Sequence, residues 1–297
     1  MDTHLYVDIA KRAGIAWVED RAPSMGAALA FYSAFSLAPL LIIVIALAGV
    51  VFGVDTVREA LVDQLAGLVG PRAAEAVRTL LEAAQGTSNG AFATTVGVVA
   101  MLIGATTIMV ELQDDLDHIW KAPRRTGNGL LAIFRARILS LGLILGIGFL
   151  LLVSLAWTGA MAAFGAYFES SYPATALLIL HVSNQAFSFG ATAVLFAMLY
   201  KWLPNVSIAW KDVWMGALIT AVLFSAGRIV IGIYLGRSAV ASAYGAAGTL
   251  SVLLLWLYYS AQVFLLGAEF THLYARHRAA RPQSMARADP SCPKPIV

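Results

Sequence analysis

Residues 244–274, YGAAGTLSVLLLWLYYSAQVFLLGAEFTHLY, decide the fold. The chain contains no Asp, Glu, Lys or Arg from Ser238 to Ala268, and a membrane-spanning helix needs only about 20 apolar residues. At about 100° per residue the polar residues of the stretch fall along one line of the helix; they are Tyr244, Ser251, Tyr258, Gln262 and Glu269. Because lipid does not satisfy polar groups, this stripe is either a seam between packed helices or one wall of a polar cavity.

The composition of the whole chain agrees with this stretch. The 297 residues are 60% hydrophobic and 12% charged, and the mean hydropathy is +0.77. Soluble domains carry about 25% charged residues. The sequence therefore predicts a polytopic helical membrane protein and excludes a soluble domain. The single cysteine, Cys292, excludes an internal disulfide framework.

The predicted fold class is an all-α integral membrane protein with six transmembrane helices in a domain of residues 25–275. The spans are expected at about 27–53, 91–113, 138–168, 176–200, 213–235 and 244–274. An amphipathic helical hairpin is predicted between spans 1 and 2, at about 55–88, packed over the bundle or on the headgroups. Its two apolar stripes are Val57, Leu61, Leu65 and Leu68, and Val77, Leu80, Leu81 and Ala84.

The two ends of the chain differ from the spans. Residues 1–24 place apolar side chains at helical spacing between charged ones, which predicts an interfacial helix on the cytoplasmic face, with a soluble cap as the alternative. Residues 276–297 are basic and contain four prolines, which predicts a disordered cytoplasmic tail. No cleavable signal peptide is expected, because the first apolar run is too long for one.

The distribution of Lys and Arg predicts the orientation. With the N-terminus in the cytoplasm, the inner segments hold fifteen of the twenty basic residues, the outer segments hold four, and Arg228 lies inside a span. Such a bias places both termini in the cytoplasm of a multi-pass membrane protein.

Ten polar residues of the spans are candidates to line a cavity: Tyr32, Ser36, Glu111, His181, Asn184, Gln185, Arg228, Tyr258, Gln262 and Glu269. An unpaired charge in mid-bilayer costs about 2.5–3.5 kcal/mol, so Arg228 is expected to face the interior or to reach outward to the interface. Gln185, Ser188 and Thr192 share one face of span 4 with His181. His181 is either a proton relay or a packed, hydrogen-bonded histidine. For Glu111 and Glu269, simple solvation near the interface is the alternative to a role in a cavity.

The sequence offers little for enzyme chemistry. It has no Walker loop, no G-x-S-x-G, no HExxH and no Cys/His metal cluster. The segment DDLDH at 114–118 has three carboxylates and a histidine, but Lys121, Arg124 and Arg125 follow it. A charge-paired helix end is therefore the expected reading, not a metal site. No catalytic residue, metal, cofactor or nucleic-acid partner is predicted.

Four segments together resemble the YihY/BrkB family of bacterial inner-membrane proteins. They are GAALAFYSAFSLAPLLI (26–42), GATTIMVELQDDLDHIWKAP (104–123), LYKWLPN (199–205) and YGAAGTLSVLLLWLYYSAQVFLLGAEF (244–270). The resemblance covers about residues 10–275 and implies a protein of the bacterial inner membrane that moves a lipid-like or small solute. The family has carried the label of a tRNA-processing ribonuclease BN and that of a virulence factor, and it supplies no catalytic residues to transfer.

The sequence is compatible with three functions. The first is a transporter, channel or lipid-handling protein whose polar stripes line a cavity for an amphiphilic or anionic substrate. The second is an envelope scaffold in which the same stripes only pack helices together. The third is a membrane-bound ribonuclease, as the older label says. A cavity of several hundred Å³ that reaches one face favours the first, and a closed bundle favours the second. The sequence does not indicate an oligomeric state.

Overall fold

A computed structural model gives the chain as a set of packed α-helices. The structure describes residues 3–69, 74–75, 77–79, 81–82, 107–123, 146, 148–150, 153–154, 156–157, 159–161, 173–237 and 246–288. Its helices are α1 (Thr3–Glu19), α2 (Ala22–Phe52), α3 (Val54–Val69), α4 (107–119), α5 (Pro173–Trp202), α6 (Trp210–Arg237) and α7 (Ala246–Ala288). The described residues include no strand, so the all-α part of the prediction is confirmed.

Three helices of the described part are long and apolar enough to cross a membrane. The stretches concerned are Val182–Trp202, Trp210–Ile231 and Ser251–Ala280. They coincide with the predicted fourth, fifth and sixth spans. Much of the predicted second and third spans lies outside the described residues. The count of six spans therefore stays a prediction.

Helix α7 is the central element of the bundle. It packs against α1, α2 and α6, and α6 packs in turn on α5. The helix continues to Ala288, whereas the sequence predicts disorder from residue 276. Residues 276–288 are rich in Ala and Arg, which are strong helix formers and extend the helix past the apolar span. Residues 289–297 lie outside the described part.

Glycines let α6 and α7 approach closely. A Cβ atom at Gly267 of α7 would overlap the Thr220 hydroxyl and the Tyr200 hydroxyl, and one at Gly216 of α6 would overlap Thr271. Tyr200 is fully buried; its hydroxyl donates to the Phe264 carbonyl at 2.8 Å and lies 3.0 Å from Thr220 Oγ1. In lipid the hydrophobic effect does not drive helices together, and small residues at such contacts allow the close packing that stabilises helix association.

The predicted hairpin packs over the bundle in the described part. Val57, Leu61, Val77 and Leu81 are buried in one cluster with residues of α2 and α7, namely Leu41, Ile45 and Leu253. The chain turns from α2 into α3 at Gly53, whose φ of 88° is one that glycine tolerates. Nothing is described for the side chains of Leu65 and Leu68, and Leu80 and Ala84 lie outside the described residues.

Helix α1 also packs on the bundle. Its residues Ile9 and Ala13 are buried against Phe270 of α7, with Met215 and Ile219 of α6 alongside. Its opposite face leaves Val18 exposed. The N-terminal segment is thus a helix with one face on the bundle, and its position relative to the headgroups stays a prediction.

Six of the described helices meet on the same side of the bundle, where polar contacts join them. Asp20 binds Lys121, Asp117 accepts from Asn205, and Asp212 pairs with Arg278 at 2.8 Å. These contacts show that α1, α4 and α5 end at this side, that α2 and α6 begin at it, and that α7 reaches it at Arg278. We call this side the polar end. Trp202 and Trp210 lie here as an edge-to-face pair, with ring centroids 6.2 Å apart. Tryptophan is enriched at membrane interfaces.

Reporter fusions test the predicted topology. Fusions after Arg125, Pro204 and Arg278 should be active as cytoplasmic reporters, because the basic residues concentrate at these positions. Fusions near Gly86 and Tyr172 should be active as periplasmic reporters. A cytoplasmic signal at a position predicted to be periplasmic, together with the reverse at another position, would contradict the six-span topology.

Candidate functional site

A cluster of ionisable side chains lies at the polar end, contributed by α7 and by two turns, the one between α1 and α2 and the one after α4. Lys121 Nζ donates to both carboxylate oxygens of Asp20 at 2.6 Å. Glu269, on α7, lines the same recess as Asp20 and Lys121 and interacts electrostatically with both. His118 Nε2 is 3.8 Å from Asp20 Oδ1. We call Asp20, Lys121, Glu269 and His272 the polar cluster.

Two members of the polar cluster have buried atoms without a hydrogen-bond partner in the described part of the chain. They are Glu269 Oε1 and His272 Nδ1. Glu269 is 1% exposed and His272 8% exposed. Both residues line a recess of about 330 Å³, whose rim carries the exposed residues Arg12, Glu19 and Arg276. The recess therefore connects a buried carboxyl with the solution at the polar end.

The backbone at both edges of the cluster is unusual. Arg21, which follows Asp20, has φ 58°, and Lys121 has φ 50°. Left-handed conformations are uncommon for residues other than glycine and cost about 1 kcal/mol or more. They occur where one helix ends and the chain turns sharply, at the junction of α1 with α2 and after α4. The packed helices hold these turns, and the turns bring Asp20 and Lys121 together.

A second acidic group lies on α4, six residues before Lys121. Asp115 is buried, and its Oδ2 atom has no partner among the described residues. Burial, reinforced by the nearby carboxylates of Glu111 and Asp114, raises the pKa of Asp115 to about 7. Burial also raises the pKa of Asp114. The described residues contain no group of three or more His, Cys, Asp or Glu that would hold a metal ion.

An apolar chamber of about 280 Å³ lies deeper among the helices. Its walls come from α2, α4, α5, α6 and α7, with Leu29, Leu112, Phe196, Phe224 and Phe264 among them. The polar residues in its lining are Ser33, Thr192 and Ser260. Such a chamber fits hydrocarbon and offers little to an ion.

A third recess, of about 440 Å³, lies between α5 and α6 and contains Arg228. Gln185 and Ser188 of α5 line it with Arg228 of α6. At its rim Val182 is 56% exposed and Ile229 61% exposed, so the recess opens on the outer surface of the helices. Thr192 and Phe224 line this recess and the apolar chamber alike. The two spaces therefore adjoin at these two side chains.

The structure distributes the ten predicted residues over different surroundings. Glu269 lines the polar recess, and Gln185 and Arg228 line the α5–α6 recess. Gln262 instead fills the space beside Gly26 of α2, and its amide Nε2 lies 3.4 Å from the Pro23 carbonyl. Tyr32, Glu111 and Tyr258 are half-buried and Asn184 is exposed; nothing is described for the side chains of Ser36 and His181.

The polar stripe of α7 thus has two different surroundings: Gln262 packs between helices, and Glu269 lines the polar recess. Sequence reasoning missed Asp20, Lys121 and His272. Asp20 and Lys121 lie in turns, where helical periodicity gives no direction. His272 follows Glu269 by three residues, the spacing that places two side chains on one helix face, and this signal was available.

Comparison with known proteins relates the chain to membrane proteins. The chain matches the family model described as Virulence factor BrkB over residues 16–291. A UPF0761 membrane protein of Pseudomonas paraeruginosa is 30% identical over 295 residues, which cover 98% of this chain and 67% of that protein. A UPF0761 membrane protein of Ralstonia nicotianae is 28% identical over 260 residues, covering 87% of this chain and 56% of the relative.

A third relative, from Pseudoalteromonas translucida, is also named a UPF0761 membrane protein and is 25% identical over 255 residues, or 86% of this chain and 81% of the relative. No solved structure matches the chain. The chain spans about two thirds of the length of the Pseudomonas relatives, 67% and 66% for two of them. The family match over residues 16–291, together with these relatives, establishes that the chain belongs to the BrkB family of membrane proteins.

Proposed function

We propose that this membrane protein is a transporter that handles a lipid-like or small solute with an anionic head group. The observation that carries the proposal is the recess between α5 and α6, which holds Arg228 and adjoins the apolar chamber at Thr192 and Phe224. An amphiphile needs these two environments side by side, one for its charge and one for its hydrocarbon.

The chemistry of the recess supports an anion. A guanidinium has five N–H donors in a planar fork that fits two oxygens of a phosphate or carboxylate. Gln185, Ser188 and Ser225 line the same recess and add an amide and two hydroxyls. A charged residue inside a membrane span has an unfavourable free energy of insertion, and the charged residues found there usually serve a function. The exposed apolar rim would let a bilayer lipid enter sideways.

The proposal includes the location and orientation predicted from the sequence. The protein lies in a bacterial inner membrane with both termini in the cytoplasm, so that the polar end faces the cytoplasm. We propose no enzymatic role and no nucleic-acid partner. A polar recess at one face and an apolar space deeper in the bundle are the arrangement expected of a protein that moves an amphiphilic substrate.

An envelope scaffold remains the alternative, and a specific observation favours it. Gln262, which belongs to the polar stripe of α7, packs into the space beside Gly26 and lines none of the described recesses. Close contacts at Gly216 and Gly267 also tighten the bundle. Part of the stripe therefore serves packing, as a scaffold requires.

Lipid binding distinguishes the two functions. Native mass spectrometry of the purified protein should show phosphatidylglycerol bound about tenfold more tightly than phosphatidylcholine, since a charge-assisted hydrogen bond contributes about 1.5–3 kcal/mol. Arg228→Leu should remove this preference and Arg228→Lys should keep part of it. Leu254→Ala, which touches no described recess, should leave it unchanged. Equal binding of both lipids, or an unchanged preference in Arg228→Leu, would favour the scaffold.

A further inference from the structure

We propose that the carboxyl pair of Asp20 and Glu269 binds one proton from the solution at the polar end, and that this proton is coupled to transport. The coupling rests on the function proposed above, whereas the binding of the proton does not. In the reaction a carboxylate oxygen of the pair takes up a proton to form a carboxylic acid, and the reverse step returns the proton to the recess.

The balance of charge in the cluster is the first argument. The carboxyl groups of Asp20 and Glu269 line one recess and interact with each other, and Lys121 binds both oxygens of Asp20. The described part of the chain gives Glu269 no ion pair within 4.0 Å. One ammonium balances one carboxylate, so the second carboxyl carries either an unbalanced charge or a proton. Two carboxyls that share a site hold a proton between them for this reason.

The burial of Glu269 is the second argument. Its side chain is 1% exposed, and Oε1 has neither a donor nor solvent contact in the described structure. A buried carboxylate oxygen without a donor loses its hydration, and no hydrogen bond compensates for the desolvation free energy. In a protonated carboxyl the O–H donates to Asp20, and the remaining carbonyl oxygen tolerates the lack of a partner far better.

The other charged groups around the pair do not replace the proton. Arg12 of α1 pairs with Asp8 at 2.9 Å, and Arg12 and Arg276 are exposed at the rim. His272 has no partner for Nδ1 in the described part, and Trp120 covers its ring edge-on. Among the described residues, the ionisable groups that surround the pair are His118 and Lys121 from the end of α4 and His272 from α7, with Arg12, Glu19 and Arg276 at the exposed rim of the recess.

The route of the proton follows from the recess. The space of about 330 Å³ joins Glu269 to the exposed rim, so a proton reaches the pair from the polar end. On its inner side lies a layer of fully buried side chains: Ala22, Leu116, Leu265 and Ala268. Leu112 and Phe264 line the apolar chamber, whereas Ile119 and Glu269 line the recess. The layer therefore closes the recess off from the chamber.

This layer connects the proton to the proposed transport. With the proton bound, the pair and Lys121 carry no net charge, and the closed layer is compatible with a dry Glu269. Loss of the proton leaves a carboxylate that needs water or a cation, and opening of the layer beside Leu265 supplies water. The bound proton would thus favour the closed packing of α7 against α2 and α4, and its loss would favour the open packing.

Infrared spectroscopy of the full-length protein in lipid nanodiscs tests the proposal directly. At neutral pH the wild type should show a protonated-carboxyl band that shifts in D2O and disappears at alkaline pH. Both Glu269→Gln and Asp20→Asn should remove this band, because one remaining carboxyl is balanced by Lys121. Lys121→Gln should keep the band to higher pH, a change that a merely structural role of the lysine would not produce.

Two controls make the test specific. Glu19→Gln, at the exposed rim of the same recess, should leave the band unchanged. Asp115→Asn should remove only a separate band, because burial raises the pKa of that carboxyl to about 7. A band that is absent in the wild type, or the same in Glu269→Gln, would overturn the proton site whether or not the protein transports. A band with the expected behaviour but transport indifferent to a proton gradient would overturn the coupling.

Discussion

Replacing Gly267 by leucine should abolish most of the folded protein. A side chain at this position would enter the space occupied by the Thr220 and Tyr200 hydroxyls and lie 3.0 Å from Thr220 Cβ. Overpacking costs about 1–3 kcal/mol, and breaking the hydrogen bonds of the buried Tyr200 hydroxyl costs about 1–3 kcal/mol more. Typical stabilities are about 5–15 kcal/mol, so this is a large share. Leucine is a better helix former than glycine, and helix propensity would therefore not explain the loss.

Fluorescence-detected gel filtration and thermal unfolding in detergent measure this effect. Gly190→Leu on α5 is the matched control, because a Cβ atom there meets nothing within 4 Å. It should fold like the wild type. Normal yield and thermal stability of Gly267→Leu would contradict the close packing of α5, α6 and α7 described above.

Arg228→Leu should reduce transport of an anionic amphiphile about tenfold to a hundredfold, the equivalent of about 1.5–3 kcal/mol for a charged hydrogen bond. The folded protein should persist, because removing a charge from a membrane span is favourable in itself. Arg228→Lys should retain part of the activity, since a lysine keeps the charge but loses the fork. Leu254→Ala should transport like the wild type. A full rate in Arg228→Leu would exclude the α5–α6 recess as the site.

Much of the architecture could be predicted because it depends on local patterns. Length and hydropathy identified the spans that contain Arg228 and Glu269, and the period of 3.6 residues placed Gln185, Ser188 and Thr192 on one face, where the structure finds them lining one recess. The stripes of the hairpin were likewise visible in Val57 and Leu61. These are properties of one helix at a time.

The remainder depends on which helices meet, and periodicity does not contain that information. Gln262 and Glu269 lie on one line of α7, yet Gly26 lets α2 approach Gln262, while Glu269 lies beyond α2, beside Asp20. Asp20 and Lys121 are 101 residues apart and are joined by turns in left-handed conformations. A polar stripe therefore shows that a helix face avoids lipid, and only the packing partners decide between a seam and a cavity.

Transport by the reconstituted protein tests the central claim most directly. Purified full-length protein in liposomes would be measured for movement of fluorescent phosphatidylglycerol and fluorescent phosphatidylcholine between the two leaflets, with Arg228→Leu and protein-free liposomes as references. The account predicts faster movement of the anionic analogue with the wild type and movement near the protein-free rate with Arg228→Leu. Equal rates in all liposomes for both analogues, with correctly folded protein present, would contradict it.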